Sequence, residues 1–210
     1  MFLDAQSLEE EFGAKLGLPV LISLAREPVA PEALDPQERE AYARLQGNPR
    51  LECWLRGRMA LRNLLSRLDE SNGPGTLCFP HKVISLSHSG PYAVAAGVKS
   101  RATSGFGVDL ELSRMPKPGS ERFFLNAQEQ VWIHTAPPIS RPRELLRLWT
   151  VKEALFKANP HNRDSLLGHY GLIDPEALAG QARWRGDESI RYRYGTLALD
   201  DGFLTIAFRT

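Results

Sequence analysis

Hydrophobic residues recur along the chain at two spacings, one typical of helices and the other typical of strands. Residues 50–68 carry them every three or four positions, which predicts a long amphipathic helix. A second long helix is predicted to start at Ser140 and Pro142, which are both start signals, and to end before Asn159-Pro160. These two helices are the longest elements that the pattern predicts.

Shorter segments surround the two long helices. Further helices are predicted after the N-cap pair Asp35-Pro36 and over 121–134. Apolar or alternating runs predict strands at 19–25, a pair of strands within 82–98, a strand at 104–112, and a final hairpin from about 189 whose strands join at "DDG". This mixture of helices and strands predicts an α+β fold.

The two long helices are similar to each other in sequence. The segment "WLRGRMAL" can be laid over "WTVKEALF", which places Arg58 opposite Glu153, and strands follow each helix. The match predicts two similar α+β halves related by a pseudo-twofold axis, with a ligand cleft between them. The predicted halves are residues 1–103 and 104–210.

Composition narrows the class of protein. The chain has 26 Lys and Arg against 25 Asp and Glu, so its net charge of +1 argues against a nucleic-acid binder with a broad basic surface. No apolar run reaches the roughly 18 residues of a membrane span, and the acidic start lacks the cations of a signal peptide. Cys53 and Cys78 belong to no metal or disulfide motif, so we expect a reduced, cytoplasmic protein.

The strand segment "GVDLE" contains the first candidate site. Because side chains alternate along a strand, Asp109 and Glu111 are expected on one face, roughly 7 Å apart, with Val108 and Leu110 on the other. Two carboxylates so placed suit a hard divalent cation such as Mg²⁺. The alternative is a solvated acidic face on a half-exposed strand.

The helix segment "LWTVKEALFKA" contains the second candidate site. Trp149, Lys152, Glu153, Phe156 and Lys157 recur at three- and four-residue spacing, which predicts that they share one face. Charges flanked by aromatic residues indicate a partly buried site, where a carboxylate needs a metal or another cation. The alternative is a surface ion pair between Glu153 and Lys157.

Two further segments have the chemistry of phosphate binding. Ser87 and His88 lie in "SLSHSG", where hydroxyl, imidazole and backbone donors suit an anion, although a polar turn with a structural histidine fits the same residues. A serine hydrolase is disfavoured because the chain lacks a G-x-S-x-G elbow. Arg50 and Arg58 belong to an arginine-rich helix, which is consistent either with a phosphate-binding site or with a solvent-exposed helix face.

The order of these motifs resembles that of a known family. "GRMALR", "SLSHS", "GVDLE", "RFFLNAQEQ" and "WTVKEALFK", from about residue 50 to 158, together resemble the 4′-phosphopantetheinyl transferase superfamily. The similarity is closest to its surfactin-type enzymes and to its short bacterial holo-acyl-carrier-protein synthases. The resemblance implies an α+β fold of two similar halves with coenzyme A bound between them, which agrees with the internal match.

The resemblance also implies a role for each candidate residue. The metal ligands for Mg²⁺ would be Asp109, Glu111 and Glu153. The catalytic residues would be Glu153 together with Lys152 and Lys157, which would lie beside the phosphates. The residues that bind the coenzyme would be Ser87, His88, Arg58 and Arg50. The implied reaction moves the 4′-phosphopantetheine arm of coenzyme A to a serine of an apo acyl or peptidyl carrier protein and releases 3′,5′-ADP. Whether Glu153 takes the serine proton directly or through a metal-bound water stays open.

The chain departs from the family pattern in two places. The family's "GKP" motif is missing before "SLSHS", where His81 or Lys82 is a candidate substitute, and Cys53 stands where an arginine is common. A non-catalytic protein that binds coenzyme A or a carrier protein is therefore an alternative, and a generic Mg²⁺-dependent phosphohydrolase is a weaker one.

The expected partner is a carrier protein with an acidic helix. The basic residues Arg114, Lys117 and Arg122 are candidates to meet that helix, and solvated loop charges are the alternative. No nucleic acid or membrane is expected as a partner. Two halves within one chain favour a monomer.

Overall fold

The protein is described by a computed structural model that covers residues 4–70, 73–99, 103–113 and 115–210. The α-helices of this part of the chain are α1 (Ala5–Leu16), α2 (Pro36–Leu45), α3 (Leu51–Leu68), α4 (Ala127–Thr135) and α5 (Arg141–Lys157). The strands are β1 (Leu21–Ala25), β2 (Ile84–Ser89), β3 (Tyr92–Gly97), β4 (Gly105–Leu112), β5 (Tyr170–Leu172), β6 (Ala179–Trp184), β7 (Asp187–Leu199) and β8 (Gly202–Arg209).

The strands form two antiparallel sheets, one in each half of the chain. The first sheet has the strand order β1-β3-β2, and the second has the order β4-β8-β7-β6-β5. Helix α3 packs on one face of the first sheet, and α5 packs on one face of the second. Helix α1 lies against both sheets, because its Leu8, Phe12 and Leu16 join one apolar core with residues of β1, β3, β4, β7 and β8.

The predicted α+β class is confirmed by this arrangement. The pseudo-twofold relation and the division at 103/104 stay predictions; the two sheets have three and five strands. Among the described helices, none combines the length and the apolar character that a membrane crossing requires.

The two sheets meet edge to edge along β2 and β4. Three alternate serines of β2 accept backbone N–H groups of β4, so side chains replace the usual ladder between the two strands. The bonds of this serine seam are Val108 N to Ser85 Oγ at 3.0 Å, Leu110 N to Ser87 Oγ at 3.3 Å, and Leu112 N to Ser89 Oγ at 2.8 Å. The seam satisfies buried amides that an edge strand would otherwise leave unpaired.

Helix α5 packs very closely on β4 because two glycines face it. A Cβ atom at Gly107 would lie 2.0 Å from the carbonyl oxygen of Ala154, and one at Gly105 would lie 1.9 Å from that of Ala158. Any larger residue would therefore separate the strand from the helix. This close approach places the second half of α5 beside the polar face of β4.

Most elements agree with the sequence pattern, and the exceptions have local causes. The helix predicted over 121–134 is wrong in its first part, where Ser120–Phe123 form a single 3₁₀ turn. Helix α4 begins after Asn126, because the Asn126 side chain accepts the N–H of Glu129 and the Glu129 carboxylate accepts the N–H of Asn126. Helix α1 and strands β5 and β6 had no predicted counterpart.

We expect Gly107→Ala to destabilise the protein by roughly 3 kcal/mol, because the added methyl meets backbone atoms that cannot rotate away. The measurement is the free energy of unfolding in urea. Gly13→Ala is the matched control: Gly13 lies in α1 with open space around it, so the change should stabilise the protein by about 0.5–1 kcal/mol. Equal effects of the two substitutions would contradict the close packing.

Candidate active site

Asp109 and Glu111 lie on one face of β4, as the alternation along the strand predicts, and the structure shows that this face meets α5. Val108 and Leu110 lie in the apolar core with α1, while Asp109 and Glu111 point to the opposite side. Asp109 is buried, with 3% of its surface exposed. Glu111 accepts a hydrogen bond of 3.1 Å from the indole N–H of Trp149 on α5. The first candidate pair thus meets the helix that contains the second.

Lys157 connects α5 to both strands of the seam. Its ammonium donates to Oδ1 of Asp109 at 2.7 Å, to Oγ of Ser87 at 3.0 Å and to the carbonyl oxygen of Val108 at 3.2 Å. The cation therefore pairs with β4 instead of forming the surface pair with Glu153 that was the alternative interpretation. A lysine between two buried strand edges supplies the positive charge that Asp109 needs.

Ser87 belongs to the same cluster. Its hydroxyl donates to Oδ1 of Asp109 at 2.8 Å and accepts from Leu110 N and from Lys157 Nζ. A serine hydroxyl has one proton and two lone pairs, so all three positions are used. In this structure the hydroxyl bonds only to the protein, and the phosphate contact that the resemblance implies for Ser87 stays a prediction.

Glu153 lies near the two carboxylates of β4. The pKa of Glu153 is raised to about 7, mainly by burial and next by the negative charge of Asp109; Lys157 lowers it, and Glu111 adds a smaller increase. Three acidic side chains thus interact across the junction of β4 and α5. Their mutual repulsion favours the protonated form of Glu153 until a cation compensates the charge.

The donor set fits a hard divalent cation. Oδ2 of Asp109 is buried and has no hydrogen-bond partner among the described residues, and carboxylate oxygens are the ligands that Mg²⁺ prefers. In the same part of the chain, no three His, Cys, Asp or Glu side chains form a ready-made metal cluster. Since Mg²⁺ commonly uses one or two carboxylates and completes its shell with water and phosphate, such a cluster is not required.

His88 lies between α3 and the acidic cluster. Its pKa is lowered to about 4, mainly by burial and also by the positive charges of Lys157, Arg58 and Arg56. Its Nε2 atom is buried without a hydrogen-bond partner in the described structure. A Cβ atom at Gly57 of α3 would lie 2.5 Å from that nitrogen, so only glycine leaves room for the ring. His88 is therefore a neutral imidazole in a positively charged environment.

Comparison with known proteins agrees with the motifs on β4 and α5. A sequence model of the 4′-phosphopantetheinyl transferase superfamily matches residues 105–201. This range is similar to that superfamily and covers slightly less than half of the chain. The match includes Asp109, Glu111, Glu153 and Lys157, whereas α3 and the serines of β2 precede it. No curated protein matches the chain.

Lys152, the other lysine of the superfamily motif on α5, does not reach the cluster. It is fully buried and donates to Oε1 of Glu129 at 2.6 Å and to the carbonyl oxygen of Tyr170. Glu129 also accepts the N–H of Leu172 at 2.9 Å. The prediction that Lys152 lies beside phosphates is therefore wrong for this structure: the residue joins α5 to α4 and β5.

The two predicted arginines lie at different positions along α3. Arg58 is half-buried, with its guanidinium 5.3 Å from the centre of the Trp54 ring and a hydrogen bond of 3.3 Å to the carbonyl oxygen of Pro74. Its charge contributes to the low pKa of His88. Arg50 is exposed at the start of α3, roughly 12 Å from Arg58 along the helix axis by the rise per residue.

Two pockets adjoin the cluster, one at Lys157 and the other at Glu111. One is lined by Phe79, Leu86, Lys157, Asn162 and Arg163, and the other is lined by Glu111, Met115, Lys117, Trp149 and Ser120. The sequence had not indicated Phe79 or Arg163, because each lies in a loop without a motif. Only their positions in the sequence could have marked them as candidate site residues. Phe79 stands where the "GKP" motif is missing, and Arg163 follows α5.

Neither predicted substitute for the "GKP" lysine lines the pocket that contains Lys157. His81 lines a separate pocket with Cys78 and Glu70, and the charge of Lys82 adds to burial in lowering the pKa of His81. Arg163 is the cation that the loop after α5 supplies to the Lys157 pocket.

We expect Lys152→Met to destabilise the protein by about 3–5 kcal/mol, because it leaves the Glu129 carboxylate buried without its cation. Urea unfolding measures the change. Lys99→Met is the matched control: the Lys99–Asp69 pair is exposed, so its loss should cost less than about 1 kcal/mol. Similar losses in both variants would be inconsistent with a buried Lys152–Glu129 pair.

We expect His88 to make the protein less stable in acid. Its pKa is about 4 when folded and 6.5 when unfolded, so the unfolded chain binds more protons between these values. Stability relative to His88→Asn should therefore fall as the pH is lowered from 7 to 4. The expected loss is roughly 2 kcal/mol, less than the full shift because the ring keeps some solvent contact. Urea unfolding at both pH values tests this, and parallel pH dependence in the two proteins would contradict it.

Proposed function

We propose that the protein transfers the 4′-phosphopantetheine arm of coenzyme A to a serine of an apo acyl or peptidyl carrier protein, in a Mg²⁺-dependent reaction that releases 3′,5′-ADP. The observation that carries the proposal is the meeting of Asp109, Glu111, Glu153 and Lys157 at one junction, within the segment that matches the superfamily. We further propose that the protein acts as a monomer in the cytoplasm.

The acidic residues account for the metal dependence. Asp109, Glu111 and Glu153 would hold Mg²⁺, and the cation would neutralise charge on the pyrophosphate of coenzyme A. Glu153 has a pKa of about 7, which suits a group that takes a proton at neutral pH. It is the candidate base for the carrier serine.

Positioning and charge neutralisation account for most of the catalysis in phosphoryl transfer. The serine oxygen would form the new bond to the β-phosphorus, and the bond to the α-phosphate oxygen would break. The serine proton would move to Glu153, and the Lys157 ammonium would stabilise charge on the departing 3′,5′-ADP. Lys157 is suited to this role because it already lies between β2 and β4.

The two pockets suggest where each substrate binds. The pocket with Phe79, Lys157 and Arg163 offers an aromatic ring and two cations, which suit the adenine and phosphates of the coenzyme, and His88 and Arg58 add donors on the α3 side. Arg163 would then replace the missing "GKP" lysine.

The pocket beside Glu111 suits the approach of the carrier serine. Lys117 lines it and supplies a positive charge toward an acidic carrier helix, with Arg122 on the following 3₁₀ turn. Arg114, the third predicted contact, lies outside the described residues.

The direct test is incubation with an apo carrier protein, coenzyme A and Mg²⁺, followed by mass spectrometry of the carrier. We expect the mass of one phosphopantetheine arm to be added. Asp109→Ala should lower the transfer rate by at least about 100-fold, because it removes a ligand of the charge-neutralising cation.

Glu176→Ala, which removes an exposed carboxylate from the loop before β6, is the matched control and should keep the wild-type rate. No transfer to any of a panel of carriers would sink the proposal. Binding of coenzyme A without transfer would favour the non-catalytic alternative, and phosphate release from simple esters would favour the phosphohydrolase.

A further inference from the structure

We infer that Ser87 is a positioning residue that holds Oδ1 of Asp109 so that Oδ2 stays turned toward the cation site. The inference rests on the proposed function, because it assigns the cation to Asp109. It differs from the role that the family resemblance implies for this serine, which is contact with a phosphate of the coenzyme.

The two oxygens of Asp109 have different surroundings. Oδ1 accepts from Ser87 Oγ at 2.8 Å and from Lys157 Nζ at 2.7 Å. Oδ2 is buried, yet it has no hydrogen-bond partner among the described residues. An ionised carboxylate oxygen without a partner inside a protein is costly, so Oδ2 is the atom that a bound cation would satisfy.

The direction of the Ser87 hydroxyl is determined by its other two bonds. Leu110 N and Lys157 Nζ are both donors, so they occupy the two lone pairs of Oγ. The only proton of the hydroxyl must therefore point to Asp109. Because Leu110 is the next residue after Asp109, the same strand that presents the carboxylate also fixes the serine that orients it.

The rest of the seam provides the contrast. Ser89 also accepts an amide of β4, with a bond of 2.8 Å from Leu112, but among the described residues it is not bonded to a carboxylate. Loss of either hydroxyl removes one bond between the sheets, whereas only the loss of Ser87 also removes one of the two bonds that hold Oδ1 of Asp109. Ser89→Ala is therefore the matched control for Ser87→Ala.

The experiment measures cation binding apart from turnover. MgCl₂ is titrated by calorimetry into each protein saturated with coenzyme A, and the transfer rate is then recorded against Mg²⁺ concentration and against coenzyme A concentration. We expect Ser87→Ala to weaken Mg²⁺ binding by about 10-fold, as losses of outer-shell partners do, with the KM for coenzyme A changed less than about twofold. Ser89→Ala should keep the wild-type Mg²⁺ affinity.

Ser87→Thr keeps the hydroxyl and should restore Mg²⁺ affinity toward the wild-type value. If Ser87→Ala does not fold, Ser87→Cys replaces it: the thiol is a weak donor and should weaken Mg²⁺ binding severalfold.

Two results would overturn the inference: equal Mg²⁺ affinity of the Ser87→Ala and Ser89→Ala proteins, or a raised KM for coenzyme A with unchanged Mg²⁺ affinity, which would make Ser87 a phosphate contact. A wild-type protein that binds no Mg²⁺ would also overturn it. A wild-type protein that binds Mg²⁺ with the expected Ser87 dependence but modifies no carrier would support the inference while refuting the proposed function.

Discussion

The bond network between β2 and β4 is the constraint on which the rest of the site depends. Two sheets that meet edge to edge must satisfy the outward amides of both edge strands, and here serine hydroxyls satisfy those of β4. Side-chain acceptors reach farther than a backbone ladder and leave room for charged groups beside them. Asp109 and Lys157 occupy that room, so the interface between the halves and the candidate active site are one structure.

Close packing of α5 on the polar face of β4 completes the arrangement. Gly105 and Gly107 let α5 approach until a Cβ atom would touch its carbonyl oxygens. The last turns of α5 then bring Glu153 and Lys157 to the buried Asp109. Lys157 balances one negative charge there, while burial and the charge of Asp109 keep the pKa of Glu153 high. The site is thus electrostatically prepared for a cation.

The two lysines of α5 show how a sequence pattern can lead to a wrong contact. Lys152 and Lys157 are five residues apart, so they differ by roughly 140° around the helix axis. Both fit within one broad face on a helical wheel, but they lie at its opposite edges. Lys152, at one edge, contacts Glu129 in the apolar core, and Lys157, at the other edge, contacts Asp109 on β4. Amphipathic periodicity cannot separate these cases, because both environments bury the side chain.

The sequence by itself determined the α+β class, the two long helices, the hairpin of β2 and β3, and the alternation that places Asp109 and Glu111 on one face of β4. These features depend on local spacing, on caps and on turn residues, which act within a few positions of the chain. Only the tertiary structure decided that Ser87 joins the seam, that Lys152 is internal, and that Arg163 lines the pocket of Lys157. The contacts of Ser87 and Lys152 join residues 18 or more positions apart, and Arg163 lies in a loop without a motif. Local periodicity in the sequence does not indicate which residues become neighbours in such cases.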